Sequence, residues 1–102
     1  MSLILGISGG LGHTGQDSAA ALIENGSLVF AMEEERITRT KHSRSVMPTN
    51  AIREGLKKIK KKFKNIKFIA YYANYFRFRS ILEDYFKFNF GSCPKIKFYY
   101  HH

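Results

Sequence analysis

The chain has 102 residues, 44% of them apolar and 15% aromatic, with a formal net charge of +9. That length holds one domain, and that apolar content excludes intrinsic disorder. The single cysteine, Cys93, excludes an internal disulfide and fits a reducing cytoplasm. No run approaches the roughly 18 apolar residues of a membrane span.

In chain order, "LILGIS" at residues 3–8 is an apolar run ending in Gly9 and Gly10, a buried strand feeding a glycine-rich turn. The start has no basic region ahead of its apolar stretch, so it makes a poor signal peptide. Residues 18–24 and 27–33 are two more strands, and the Asn25-Gly26 pair between them predicts a type I′ hairpin. Residues 33–48, "EEERITRTKHSRSVMP", carry many charges without periodicity and read as a loop.

Thr49 or Asn50, just after Pro48, opens a helix that ends at Asn65. Its apolar face is Ile52, Leu56, Ile59 and Phe63, spaced by turns of a helix. From Arg53 to Lys67 the same stretch carries eight Lys or Arg against one Glu, which reads as a lysine-rich solvated face. A nucleic-acid surface and an amphipathic membrane helix are the lesser readings. Residues 67–73 form a fourth strand. A second helix follows, with Phe78, Ile81, Leu82 and Tyr85 on one face, broken at Gly91 and Pro94. Residues 95–100 alternate as a fifth strand. The density of aromatics after Phe63 predicts a surface covered by a partner or another domain.

The order β-β-β-α-β-α-β is the layout of an RNase H-like half-domain with a mixed sheet, the unit duplicated in the actin and sugar-kinase group. In that group the turn between the first two strands faces ligand phosphates. Order of this kind speaks to fold and not to function.

Three stretches carry chemistry. In "SGGLGHTGQDSAAAL", glycines let a ligand approach the backbone, and His13 and Asp17 offer a base and an orienting carboxylate. The bland reading is a hairpin loop with incidental polar residues. No Lys-Ser or Lys-Thr follows, so it is not a nucleotide-binding P-loop. In "EEERITRTKH", alternation at a strand end puts Glu33 and Glu35 on one side and Glu34 on the other. Arg36, Arg39, Lys41 and His42 are candidates for holding an anionic group, against the plain alternative of a solvated charged loop. Last, the chain ends on His101 and His102. Adjacent residues of extended chain point opposite ways, and a metal site takes about three protein ligands. His13 and His42 join them only if the fold brings them near. A tag remnant, a natural tail and a metal motif cut short all remain open for this pair.

The residues "DSAAALIENGSLVFAMEEERITRTKH", with the strand "LGI" before them and a Pro-led helix after them, resemble the N-terminus of the NodU/CmcH family of O-carbamoyltransferases. The pattern that matches covers residues 3 to about 56, with Ile37 where Phe is common. The resemblance implies a transferase that uses ATP to turn carbamoyl phosphate into carbamoyl adenylate, then passes the carbamoyl group to a substrate hydroxyl. It implies an actin-type (Kae1-like) domain, of which residues 1–102 are a truncated N-terminal lobe, working with a missing C-terminal lobe and a YrdC-like domain. It implies a divalent metal such as iron, with His101 as the first ligand of an H-x-x-x-H pair. The family's loop His falls at Gln16, which cannot take a proton, so His13, Gln16 and Asp17 share the catalytic position between them. Taken alone, the chain is expected to be inactive, cytoplasmic, and without membrane or nucleic-acid partners. The alternative is a non-catalytic basic interaction module of RNase H-like fold that binds a partner chain or nucleic acid. The acceptor and the oligomeric state are not encoded here.

Overall fold

The computed structural model describes residues 2–8, 18–34, 47–72 and 79–99. The strands are β1 (Leu3–Ser8), β2 (Ala19–Glu24), β3 (Ser27–Glu33), β4 (Ile66–Tyr72) and β5 (Lys95–Tyr99). Helix α1 (Thr49–Ile59) lies between β3 and β4, and α2 (Arg79–Phe90) between β4 and β5. The five strands form one mixed sheet in the order β3-β2-β1-β4-β5. β1 pairs antiparallel with β2 and parallel with β4, and β4 pairs parallel with β5. This is the predicted element order.

Local chemistry explains the elements. Asn25 and Gly26 both have positive φ, 51° and 86°, as a type I′ turn requires. They close a hairpin whose far end is bonded back to the start of the chain, Ser2 donating to Asn25 Oδ1 at 2.9 Å. Helix α1 stops at Lys60, in the left-handed conformation, with the Lys60 and Lys61 amides returning to Lys57 and Leu56 carbonyls. That is a Schellman-type end. The predicted helix through Asn65 is therefore too long. The apolar spacing continues past the true end because Phe63 re-enters the core from a 3-10 turn, Phe63–Asn65.

Both helices lie on one face of the sheet. Leu3, Leu5 and Ile7 of β1, Ala20 and Leu22 of β2, Ile69 and Tyr71 of β4, and Ile96 of β5 point to it. Ile52 and Leu56 of α1 and Leu82 and Phe86 of α2 close the core over them. The predicted face of the second helix is thus partly wrong. Ile81 is 56% exposed, and Phe86 takes the central place. Phe78 lies outside the described residues. Most late aromatics are also interior: Phe63 stacks on Phe90 with centroids 4.4 Å apart and on Phe86 at 5.8 Å. The expected aromatic surface reduces, among the described residues, to Phe88, which is 89% exposed, and Tyr99.

The candidate site at the carboxyl edge of the sheet

The register puts Ser8, Ala19, Glu33, Tyr72 and Tyr99 in one row. Ser8 pairs with Ala19 and Tyr72, Ala19 with Glu33, and Tyr72 with Tyr99. This row is the carboxyl end of the parallel strands β1, β4 and β5. Ligands of open α/β sheets bind outside such ends. Chain segments 9–17, 35–46, 73–78 and 100–102 all attach here. The candidate residues His13, Gln16, Asp17, Arg36, Arg39, Lys41, His42 and His101 belong to these segments and lie outside the described residues. What the described frame supplies is their common anchorage.

On the face away from the helices, a hollow of about 660 Å³ opens next to this row. Its floor is Gly6, Ala19, Ala21, Ala31 and Ala70, side chains too short to fill the space between strands. Ser8, Glu33 and Tyr99 give it a polar rim. Among the described residues no helix covers this face.

On the helix face the same edge holds a buried polar cluster. Glu34, 1% exposed, accepts the Ala51 backbone N–H and the Asn50 side-chain N–H, each at 2.9 Å. Its own amide donates to the Ser18 carbonyl at 2.9 Å. Thr49 Oγ1 and the Tyr85 hydroxyl are hydrogen-bonded. Burial pushes the Tyr85 phenol up, opposed by the Thr49 bond and reinforced by the Glu34 charge. Burial, with Tyr85 beside it, raises Tyr71 further. Ser18 Oγ is buried without a hydrogen-bond partner among the described residues. The alternation predicted for the acidic run holds where it can be seen: Glu33 faces the hollow, Glu34 the helices.

Glu34 was not among the candidate site residues, because a charged run reads as solvated. The signal for it is indirect. Helix α1 begins at Pro48-Thr49 with no side-chain cap bond from its N-cap residue and no acidic residue in its first turn. Its free N–H groups and positive dipole end therefore need an acceptor from elsewhere in the chain.

The described residues do not make a metal centre. No group of three His, Cys, Asp or Glu side chains among them is placed to hold an ion. No helix among them is long and apolar enough to cross a membrane.

The comparisons agree with this architecture. YeaZ from Pseudomonas aeruginosa superposes with a TM-score of 0.54 over 95% of this chain and 43% of its own, at 13% identity. That likeness shows an RNase H-like, actin-type fold and nothing more. An uncharacterized protein of Synechocystis, sll1178, is 39% identical over 89 residues, covering 86% of this chain and 14% of the relative. Nodulation protein NolNO of Sinorhizobium fredii is 37% identical over 82 residues, covering 70% of this chain and 12% of the relative. The chain thus spans only a small part of the length of these relatives. The family described as carbamoyltransferase N-terminus matches residues 3–92. This chain belongs to the carbamoyltransferase N-terminal family.

Proposed function

We propose that residues 1–102 act as the N-terminal lobe of an O-carbamoyltransferase. In that reading carbamoyl phosphate, water and ATP give carbamoyl adenylate with release of phosphate and pyrophosphate, and a substrate hydroxyl attacks the carbonyl carbon of the adenylate. The C–O bond to the adenylate breaks, AMP leaves, and the hydroxyl proton passes to a base. One observation carries the reading: in a chain of this family, all segments bearing candidate site residues are anchored in one row at the carboxyl edge of the sheet. His13 is the base candidate, since Gln16 has no proton affinity at neutral pH. Asp17 orients the acceptor. Arg36, Arg39, Lys41 and His42 meet the negative charge of the adenylate and the developing oxyanion. His101 would be one ligand of a divalent metal.

The test is a chimera in which residues 3–92 replace the matching N-terminal segment of NolNO. Labelled carbamoyl phosphate, ATP and the parental acceptor should give carbamoylated product with one AMP released per transfer. The 102 residues alone should give none. A folded but inactive chimera beside an active parent would overturn the reading, as would transfer by the 102 residues unaided.

A further inference from the structure

We propose that Glu34 is a positioning residue, whose buried carboxylate fixes the start of α1 against the ends of β2 and β3. The proposal deepens the transferase reading and rests on it for its catalytic consequence.

Three observations meet at this side chain. First, Glu34 accepts from two adjacent residues of α1's first turn, the Ala51 backbone amide and the Asn50 side-chain amide. Those residues are 16 and 17 positions later in the chain, so the bonds tie together the two attachment points of segment 35–46. Second, the Glu34 amide is bonded to the Ser18 carbonyl, directly after segment 9–17. Movement of Glu34 therefore moves the anchor of the segment that holds His13 and Asp17. Third, α1 has no cap of its own. The carboxylate supplies what the local sequence omits, so the helix start is set by a tertiary contact and not by local sequence. Tyr85, held by Thr49, packs α2 into the same cluster.

The geometry requires reach: two oxygens delivered to two donors at 2.9 Å. Charge alone does not meet that need. Gln has the same length, keeps one oxygen for the Ala51 amide, and can donate to Asn50 if that amide turns over. Asp keeps the charge but is one methylene short. The two substitutions thus separate positioning from electrostatics.

Backbone amide exchange in the 102-residue chain reads this out. In Glu34→Asp and Glu34→Ala, the Ala51 amide should exchange about tenfold faster or more, from the loss of a buried charge-assisted bond, and the residue 34 amide, bonded to the Ser18 carbonyl, should exchange faster as its strand end loosens. In Glu34→Gln they should stay within about threefold of the original. The amides of Leu5 and Ile69, at the sheet centre, should change little in all three. Equal acceleration at every site would reduce Glu34 to a contributor to global stability. Better protection in Glu34→Asp than in Glu34→Gln would make it an electrostatic residue. Either result overturns the proposal, and the Asp and Gln pair decides it even if Glu34→Ala does not fold. In the NolNO chimera, kcat should fall about tenfold in Glu34→Asp and hold within about threefold in Glu34→Gln; an unchanged kcat in Glu34→Asp overturns the positioning role. A chimera inactive with Glu34 intact counts against the transferase reading alone, and the exchange result still judges Glu34.

Discussion

Gly55 shows how one residue sets the distance between a helix and a sheet. It lies in the buried face of α1. A Cβ added there would come within 2.6 Å of the Phe30 ring and 2.8 Å of a Leu22 methyl. Leu22 is fully buried in the middle of the sheet and has nowhere to go, though the Phe30 ring is only half-buried. Alanine in place of glycine gains about 1 kcal/mol of helix propensity. Overpacking costs about 1–3 kcal/mol. The close approach to two side chains makes the steric cost win, so Gly55→Ala should lower stability by up to about 2 kcal/mol in a urea titration, against the usual helical trend. A rise in stability would mean that β3 yields more easily than its packing suggests. The sequence alone hides this, because an isolated glycine within a lysine-rich helix looks like a weak point and not a contact.

At the scale of elements, what could be read from the sequence depended on whether its cause was local. β1, the Asn25-Gly26 hairpin and β3 fall on the expected residues, since each follows from a few neighbouring side chains. The end of α1 and the buried face of α2 do not. Lys60 terminates α1 in a left-handed conformation with no glycine to announce it, and Phe86 is chosen over Ile81 by the Phe63–Phe90 stack beside it. Glu34 escaped for the same reason: its partners are donors of a helix that starts well beyond it. The packing of α2 on β4 also has a pH consequence. Tyr71, fully buried on β4, is raised well above an ordinary phenol, first by burial and then by Tyr85. A raised folded value favours the neutral phenol in the fold. Its stability contribution is fully present below the unfolded value of about 10, and is lost as pH rises beyond it. Unfolding free energy should therefore fall as pH climbs above about 10, with a slope near 1.4 kcal/mol per pH unit from this tyrosine. Tyr71→Phe should remove that part of the slope while leaving the behaviour below pH 9 parallel to the original. Identical slopes in the two proteins would show that the unfolded and folded phenols ionise together.

At the scale of the molecule, among the described residues, the lysine cluster around the end of α1 and the row that anchors the candidate segments lie at opposite ends of the sheet. Lys61 is ion-paired with Glu24 at 3.6 Å. Glu24 is the register partner of Leu3, at the amino end of β1, five residues before Ser8 and the row that anchors the candidate segments. The lysines of the last turn of α1 and those just after it therefore lie toward the pole away from the carboxyl edge. Lys57, Lys58, Lys62 and Lys64 are exposed. Cations at a helix C-terminus are favoured by its dipole, so a structural reason for part of this cluster already exists. A basic pole still attracts polyanions, in a way that salt screens over roughly 10 Å at 0.1 M. This separation lets the two functional readings be tested apart. Changing Lys57, Lys58, Lys62 and Lys64 to Gln should abolish any low-salt binding to duplex DNA. It should leave carbamoyl transfer by the NolNO chimera within about twofold, because the exposed lysines lie toward the end of α1 away from the carboxyl edge and salt screens their field. The isolated chain should bind DNA only weakly and lose that binding between 50 and about 200 mM salt, as a non-specific electrostatic contact does. DNA binding that survives at the higher salt, or a transfer rate that falls with the lysines, would move the function of this lobe from its carboxyl edge to its basic pole.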